Sequence, residues 1–170
     1  MGGNKVAVSI NDGENNIVVG PAELRWDDDE RLRQGQIKEV SRAALVMDAI
    51  IDLIEGLLSS GNVQRASVKA VNAALAGPVD KEKGIFGSDF KTPNLPFDRY
   101  PFRGELQRRL KARQVQARIE LCNDGEAARN GERFSPQGQL QGVSGGIVII
   151  GGGINISVDD PNIKEGGHAL

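Results

Sequence analysis

The chain reads as an α/β protein, a mixed sheet with flanking helices, on three observations. Short apolar stretches alternate with period two near the start, middle and end of its 170 residues. One long segment instead repeats its apolar residues every three or four positions, and Gly, Pro and Asn clusters separate the segments.

The elements follow in order. Val6, Val8 and Ile10 alternate against Ala7 and Ser9, and Asn11-Asp12-Gly13-Glu14-Asn15-Asn16 then turns the chain into Ile17-Val18-Val19, a hairpin signal. Gly20 to Gly35 is polar, with Trp26 ahead of Asp27-Asp28-Asp29-Glu30, and reads as a solvated loop. From Gln36 to Leu58, apolar Ile37, Val40, Ala44, Met47, Ile51, Ile54 and Leu58 predict a helix that Gly61-Asn62 ends. Ala66 to Leu75 is small and β-branched, a strand running into the Gly77-Pro78 turn. Asp80 to Pro101, rich in Gly, Pro and Asp, reads as an ordered surface loop of the length that usually carries function. Phe102 to Leu110 predicts a short basic helix with Arg108, Arg109, Lys111 and Arg113 on its wet face. Val115, Ala117, Ile119 and Leu121 alternate as a strand, and Glu126 to Arg133 predicts a helix. Gly145 to Val158 reads as two strands joined by the glycine turn Gly151-Gly152-Gly153.

Composition narrows the function classes. With 21 basic and 23 acidic residues the net charge is -2, which disfavours nucleic acid and anionic membranes as partners. No apolar run approaches the roughly 20 residues that cross a bilayer. The first residues lack the pattern of a signal peptide, and Val6 stands where a myristoylation motif starting at Gly2 wants Ser or Thr. These features predict a cytoplasmic protein. The single cysteine, Cys122, makes neither an internal disulfide nor a cysteine-rich zinc site.

The most informative pair is Asn123-Asp124, at the end of a strand and the start of a helix. A carboxylate there lies at a sheet edge beside a helix N-terminus, where ligands of open α/β sheets bind. It is equally turn chemistry, with Asp124 a good N-cap. Similar alternatives hold elsewhere. Gly77-Pro78 and Asn94 are plain turn residues or parts of a site; Lys5 is a solvated edge lysine or a phosphate contact; Glu165-Gly166-Gly167-His168 is a frayed terminus or a ligand motif.

Taken together, Gly2-Gly3-Asn4-Lys5, Gly77-Pro78-Val79-Asp80, Pro93-Asn94-Leu95-Pro96, Asn123-Asp124 and Glu165-Gly166-Gly167-His168 resemble, in this order, the ROK family (repressor, open reading frame, kinase) of sugar kinases, glucokinases among them. The resemblance implies an actin-like, ribonuclease-H-like ATPase fold of two lobes, 1–122 forming the sugar-kinase lobe and 123–170 the start of an incomplete second lobe. It implies ATP-dependent phosphorylation, with Mg2+, of a hexose or N-acyl-hexosamine hydroxyl. Asp124 would be the general base, and Gly77, Asn94, Asn123, Asp124, Glu165 and His168 would bind the sugar. Gly2, Gly3, Asn4 and Lys5, with Gly142, Gly145 and Gly146, would cradle ATP phosphates. His168 would ligate a structural zinc only alongside a cysteine cluster of a longer parent, whose expected state is a homodimer.

Departures from the family pattern are equally specific. The chain opens inside the first motif, without the preceding strand and its magnesium-associated carboxylate; Asn4 replaces the usual threonine; and Gly142-Val143-Ser144-Gly145-Gly146 keeps only the tail of a second phosphate loop. The family's cysteine cluster and adenosine lobe lie beyond Leu170. The expectations are therefore a kinase if segments are missing, or a catalytically inactive sugar-binding or regulatory module if the chain is whole. An actin-like scaffold and a sugar-responsive transcriptional repressor fragment rank below these, the repressor because no helix-turn-helix precedes the first strand.

Overall fold

Alternation in the first segment turns one face inward. The computed structural model describes residues 5–12, 16–25, 39–87, 97–134, 138, 139, 141, 146–150, 154–158 and 166–169. In β1 (Lys5–Asn11), Val6 is buried and Val8 and Ile10 half-buried, while Lys5, Ala7 and Ser9 are exposed. β1 pairs antiparallel with β2 (Ile17–Arg25), so the hairpin extends past the expected Val19. Gly20 to Arg25 is strand rather than loop, and the register shifts opposite Ser9. Gly20 makes that shift feasible at φ 99°, where a Cβ would stand 3.0 Å from the Val8 carbonyl oxygen. The acidic run and Trp26 lie outside the described residues.

The long periodic segment forms α1 (Glu39–Ser60), burying Ala43, Val46, Met47, Ile50, Ile51, Leu57 and Leu58. It ends as read: Gly61 N–H reaches Leu57 O at 2.9 Å and Asn62 takes a left-handed φ of 50°. The following strand starts later than expected. Arg65–Ser67 form a 3-10 turn, fixed by the Ser67 N–H and hydroxyl, both bonded to Gln64 O. β3 (Ala70–Leu75) begins only after it.

β3 pairs parallel with β6 (Arg118–Asn123), from Ala70 opposite Arg118 to Leu75 opposite Asn123. A parallel pair needs a crossover, and Asp80 to Pro101 supplies part of it as more than a loop. β4 (Val79–Asp80) and β5 (Ile85–Phe86) pair antiparallel, Tyr100 exchanges backbone hydrogen bonds with Phe86, and α2 (Phe102–Ala112) completes the crossover. Phe86, Phe97 and Phe102 are each at most 2% exposed. Their ring centroids stand 5.6 to 6.1 Å apart in edge-to-face contacts, the arrangement the aromatic quadrupole favours. These rings join Met47, Leu75, Leu106, Leu110, Val115, Ile119 and Leu121 in one core between the helices and strands.

The basic face of α2 is not uniformly wet. Arg109 is largely buried, bonding Glu105 at 2.7 Å on its own helix and pairing with Asp48 on α1. Arg113 lies just past the helix end. α3 (Asp124–Phe134) starts two residues earlier than its apolar pattern predicts and lies against β7 (Gly146–Ile150) and β8 (Ile154–Val158). These two strands pair antiparallel as read, and β9 (Gly166–Ala169) joins β8, so that segment is a strand and not a frayed end. The described residues thus form a mixed α/β chain of three helices and several small sheets, in which β3–β6 is the parallel pair. Among them, no helix is long and apolar enough to cross a membrane.

Candidate functional site

The carboxyl end of the parallel pair brings three of the expected residues together. β6 ends at Asn123 and α3 begins at Asp124 with nothing between, while the neighbouring β3 leads into Gly77-Pro78. Asn123 is a buried polar residue, 8% exposed. Its Nδ2 donates to Gly77 O at 2.9 Å and its Oδ1 accepts the Gly125 N–H at 2.9 Å. One amide therefore ties the β3 turn, the end of β6 and the start of α3 into one corner.

That geometry corrects the capping assignment. Asn123, not Asp124, occupies the cap position, its oxygen accepting from the second helical N–H. Asp124 Oδ1 shares the same Gly125 N–H at 3.0 Å. Asp124 is half-buried at the first turn, where the helix dipole stabilises an anion. Gly77 adopts φ 141°, so the turn that offers its carbonyl to Asn123 is one a glycine makes without strain.

Sequence reasoning passed over the charged residues beside this corner. Lys81 Nζ bonds Glu126 Oε1 at 2.5 Å and so links the β4–β5 turn to the first turn of α3. Asp80 accepts the Lys83 N–H at 2.9 Å, and this bond holds the Asp80 carboxyl below the usual carboxylate range. Arg103 donates to the carbonyls of Lys81 and Glu82, fixing the same turn from α2. The signal was present as Asp80-Lys81-Glu82-Lys83, four alternating charges between two turn glycines, Gly77 and Gly84.

The other expected residues belong to other elements or fall outside the described residues. Lys5 stands at the start of β1 and pairs with Glu23 at 2.9 Å across the hairpin, an exposed contact. Gly2, Gly3, Asn4, Asn94, Gly142, Gly145 and Glu165 lie outside the described residues. Gly146 opens β7, and His168 lies in β9. The zinc expectation takes only His168 from this chain, its other ligands belonging to a cysteine cluster of a longer parent; Cys122, the chain's one cysteine, sits on β6. Among the described residues no group of three His, Cys, Asp or Glu side chains could hold a metal ion. A cavity of about 780 Å³ runs along β1 and β3 and includes neither Asn123 nor Asp124.

Chemically, the corner offers a carboxylate on a rigid strand-to-helix junction, held by a buried amide and flanked by a lysine–glutamate pair. Such a group can accept a proton from a hydroxyl within hydrogen-bond reach. Comparison of the chain with protein-family models, with curated proteins and with solved structures found no match, so any functional assignment rests on these residues and on the motif resemblance.

Proposed function

We propose that the chain is an ATP-dependent sugar kinase of actin-like fold, acting on a hexose or N-acyl-hexosamine, with Asp124 as general base. The observation that carries this reading is the corner itself: Asp124 at the carboxyl end of a parallel strand pair and at a helix N-terminus, beside a glycine turn. The order of the five motifs supports it independently.

Phosphoryl transfer to a sugar hydroxyl passes through a loose transition state, so the protein has to align the hydroxyl and give its proton a destination. Asp124 is the proposed destination. Asn123 holds Asp124 by anchoring the backbone on both sides, and an amide, which both donates and accepts, is the group proposed to meet a ring hydroxyl. ATP enters as co-substrate, and no step is assigned to a metal.

The test is ADP release by the full chain with ATP and Mg2+ across a hexose panel. The reading expects sugar-dependent release that falls roughly 10²- to 10⁴-fold in Asp124→Asn while sugar binding survives. Release unchanged by that substitution would remove Asp124 as the base. Saturable sugar binding without ADP release in the wild type would leave a binding module in place of an enzyme.

A further inference from the structure

We propose that Lys81 and Glu126 are positioning residues, a clasp that holds the first turn of α3, and with it Asp124, against the β4–β5 turn. The positioning role rests on the reading of Asp124 as general base; the clasp itself rests on geometry alone. Lys81 Nζ bonds Glu126 Oε1 at 2.5 Å across 45 residues of sequence.

The helix that carries Asp124 has little of its own to hold its start. Its eleven residues include Gly125, Asn130 and Gly131, all of low helix propensity. Gly125 is its buried residue and the rest are half-buried or exposed, so deep side-chain burial does not fix the first turn. Asn123 fixes the residue before the helix and the Gly125 N–H, and Lys81 takes hold one residue further on.

The turn on the other side of the clasp is fixed before Lys81 leaves it. Asp80 accepts the Gly84 N–H on its carbonyl at 2.8 Å and the Lys83 N–H on its carboxylate at 2.9 Å. Arg103 of α2 donates its guanidinium to the carbonyls of Lys81 and Glu82 and its backbone N–H to Gly84 O at 3.1 Å. Gly84 sits at φ 69°, and a Cβ there would stand 2.6 Å from the Arg103 Cβ, so this close approach of α2 requires glycine. Helix α2 thus sets the turn, and through Lys81 the turn sets the start of α3.

Glu126 is poorly arranged for stability alone. Its side chain is 14% exposed, and its Oε2 is buried and receives no hydrogen bond from the protein. Lys81 is half exposed, where an ion pair contributes little, whereas an orphaned buried carboxylate oxygen carries its full desolvation cost. Such a cost, on the helix turn that bears the proposed base, is the pattern of a contact kept for position.

The experiment compares the full chain with Lys81→Ala, Glu126→Ala, the double variant and Lys81→Arg by amide hydrogen exchange, urea unfolding and ADP release with ATP and Mg2+ across the hexose panel. Both alanine variants are expected to exchange at Gly125, Ala127 and Ala128 at least about fivefold faster at an unchanged urea midpoint. The double variant should be no faster than Glu126→Ala alone, and Lys81→Arg should match the wild type. In the kinetic arm kcat falls about tenfold in both alanine variants at unaltered KM for the sugar, and Lys81→Arg keeps it, a split that a purely structural pair would not produce. Unchanged exchange in the alanine variants would overturn the clasp, and faster exchange matched by a lower urea midpoint would reduce it to an ordinary stabilising contact and equally overturn it. Wild-type kcat in the alanine variants of an active enzyme would overturn the positioning role. A wild type that releases no ADP would instead remove Asp124 as base and leave the clasp to be decided by exchange.

Discussion

The two edges of β3 differ in what lies beside them. One edge lies against β6 in a regular parallel ladder that ends at the Asn123 corner, where a single amide satisfies groups from three elements. The other borders a cavity and, among the described residues, has no partner strand. The closed edge shows how a fixed backbone can present a carboxylate. The second edge faces apolar side chains of both helices, Ile50 and Ile54 of α1 and Phe102 and Leu106 of α2.

Breaking the closed side begins with its core. Phe102 touches Phe86, Phe97 and Tyr100 and is 1% exposed, so Phe102→Ala should cost about 3–5 kcal/mol in urea unfolding. It would also unseat the start of α2, which lines the cavity beside β3. Asn123→Ala comes next, at about 2 kcal/mol, because it leaves the Gly77 carbonyl buried without its donor. The Gly125 N–H keeps Asp124 as acceptor, which holds the loss below that of the aromatic change.

A smaller effect depends on pH. The Arg108 guanidinium, with Arg109 beside it, lowers the Glu105 carboxyl from its ordinary 4.5 to about 2. A carboxyl depressed in the folded state adds stability that is present above pH 4.5 and is lost as pH falls toward 2. Glu105→Gln should therefore be about 1 kcal/mol less stable than wild type at pH 7, with the difference closing over that acid window in pH-dependent urea melts. Lys5→Ala, which removes the exposed pair with Glu23, should change stability by less than about 0.5 kcal/mol.

What the sequence disclosed follows the same division. The hairpin, α1 and β6 are local periodicities: Val6-Val8-Ile10, the three-and-four spacing of Met47 to Leu58, and Val115 to Leu121 each name their own inward face. The Asn123-Asp124 junction was legible too, since strand alternation stops there and helix spacing begins. Asn123's two bonds were not, because Gly77 is brought to it by strand pairing across a crossover. Arg109 was misread for a related reason: its partner Asp48 belongs to another helix, and helical spacing cannot report a neighbour distant in sequence. The acidic residues around Lys81 were hidden inside a stretch whose Gly and Pro content suggests only a loop.

The central claim is that a sugar hydroxyl gives its proton to Asp124 as it is phosphorylated. The direct measurement is the ratio of ADP to sugar phosphate formed by the wild type and by Asp124→Asn, with calorimetric sugar titration of both. The account predicts one-to-one product formation in the wild type, its near-complete loss in the variant, and sugar binding retained in both. Equal product formation in the two proteins would contradict it.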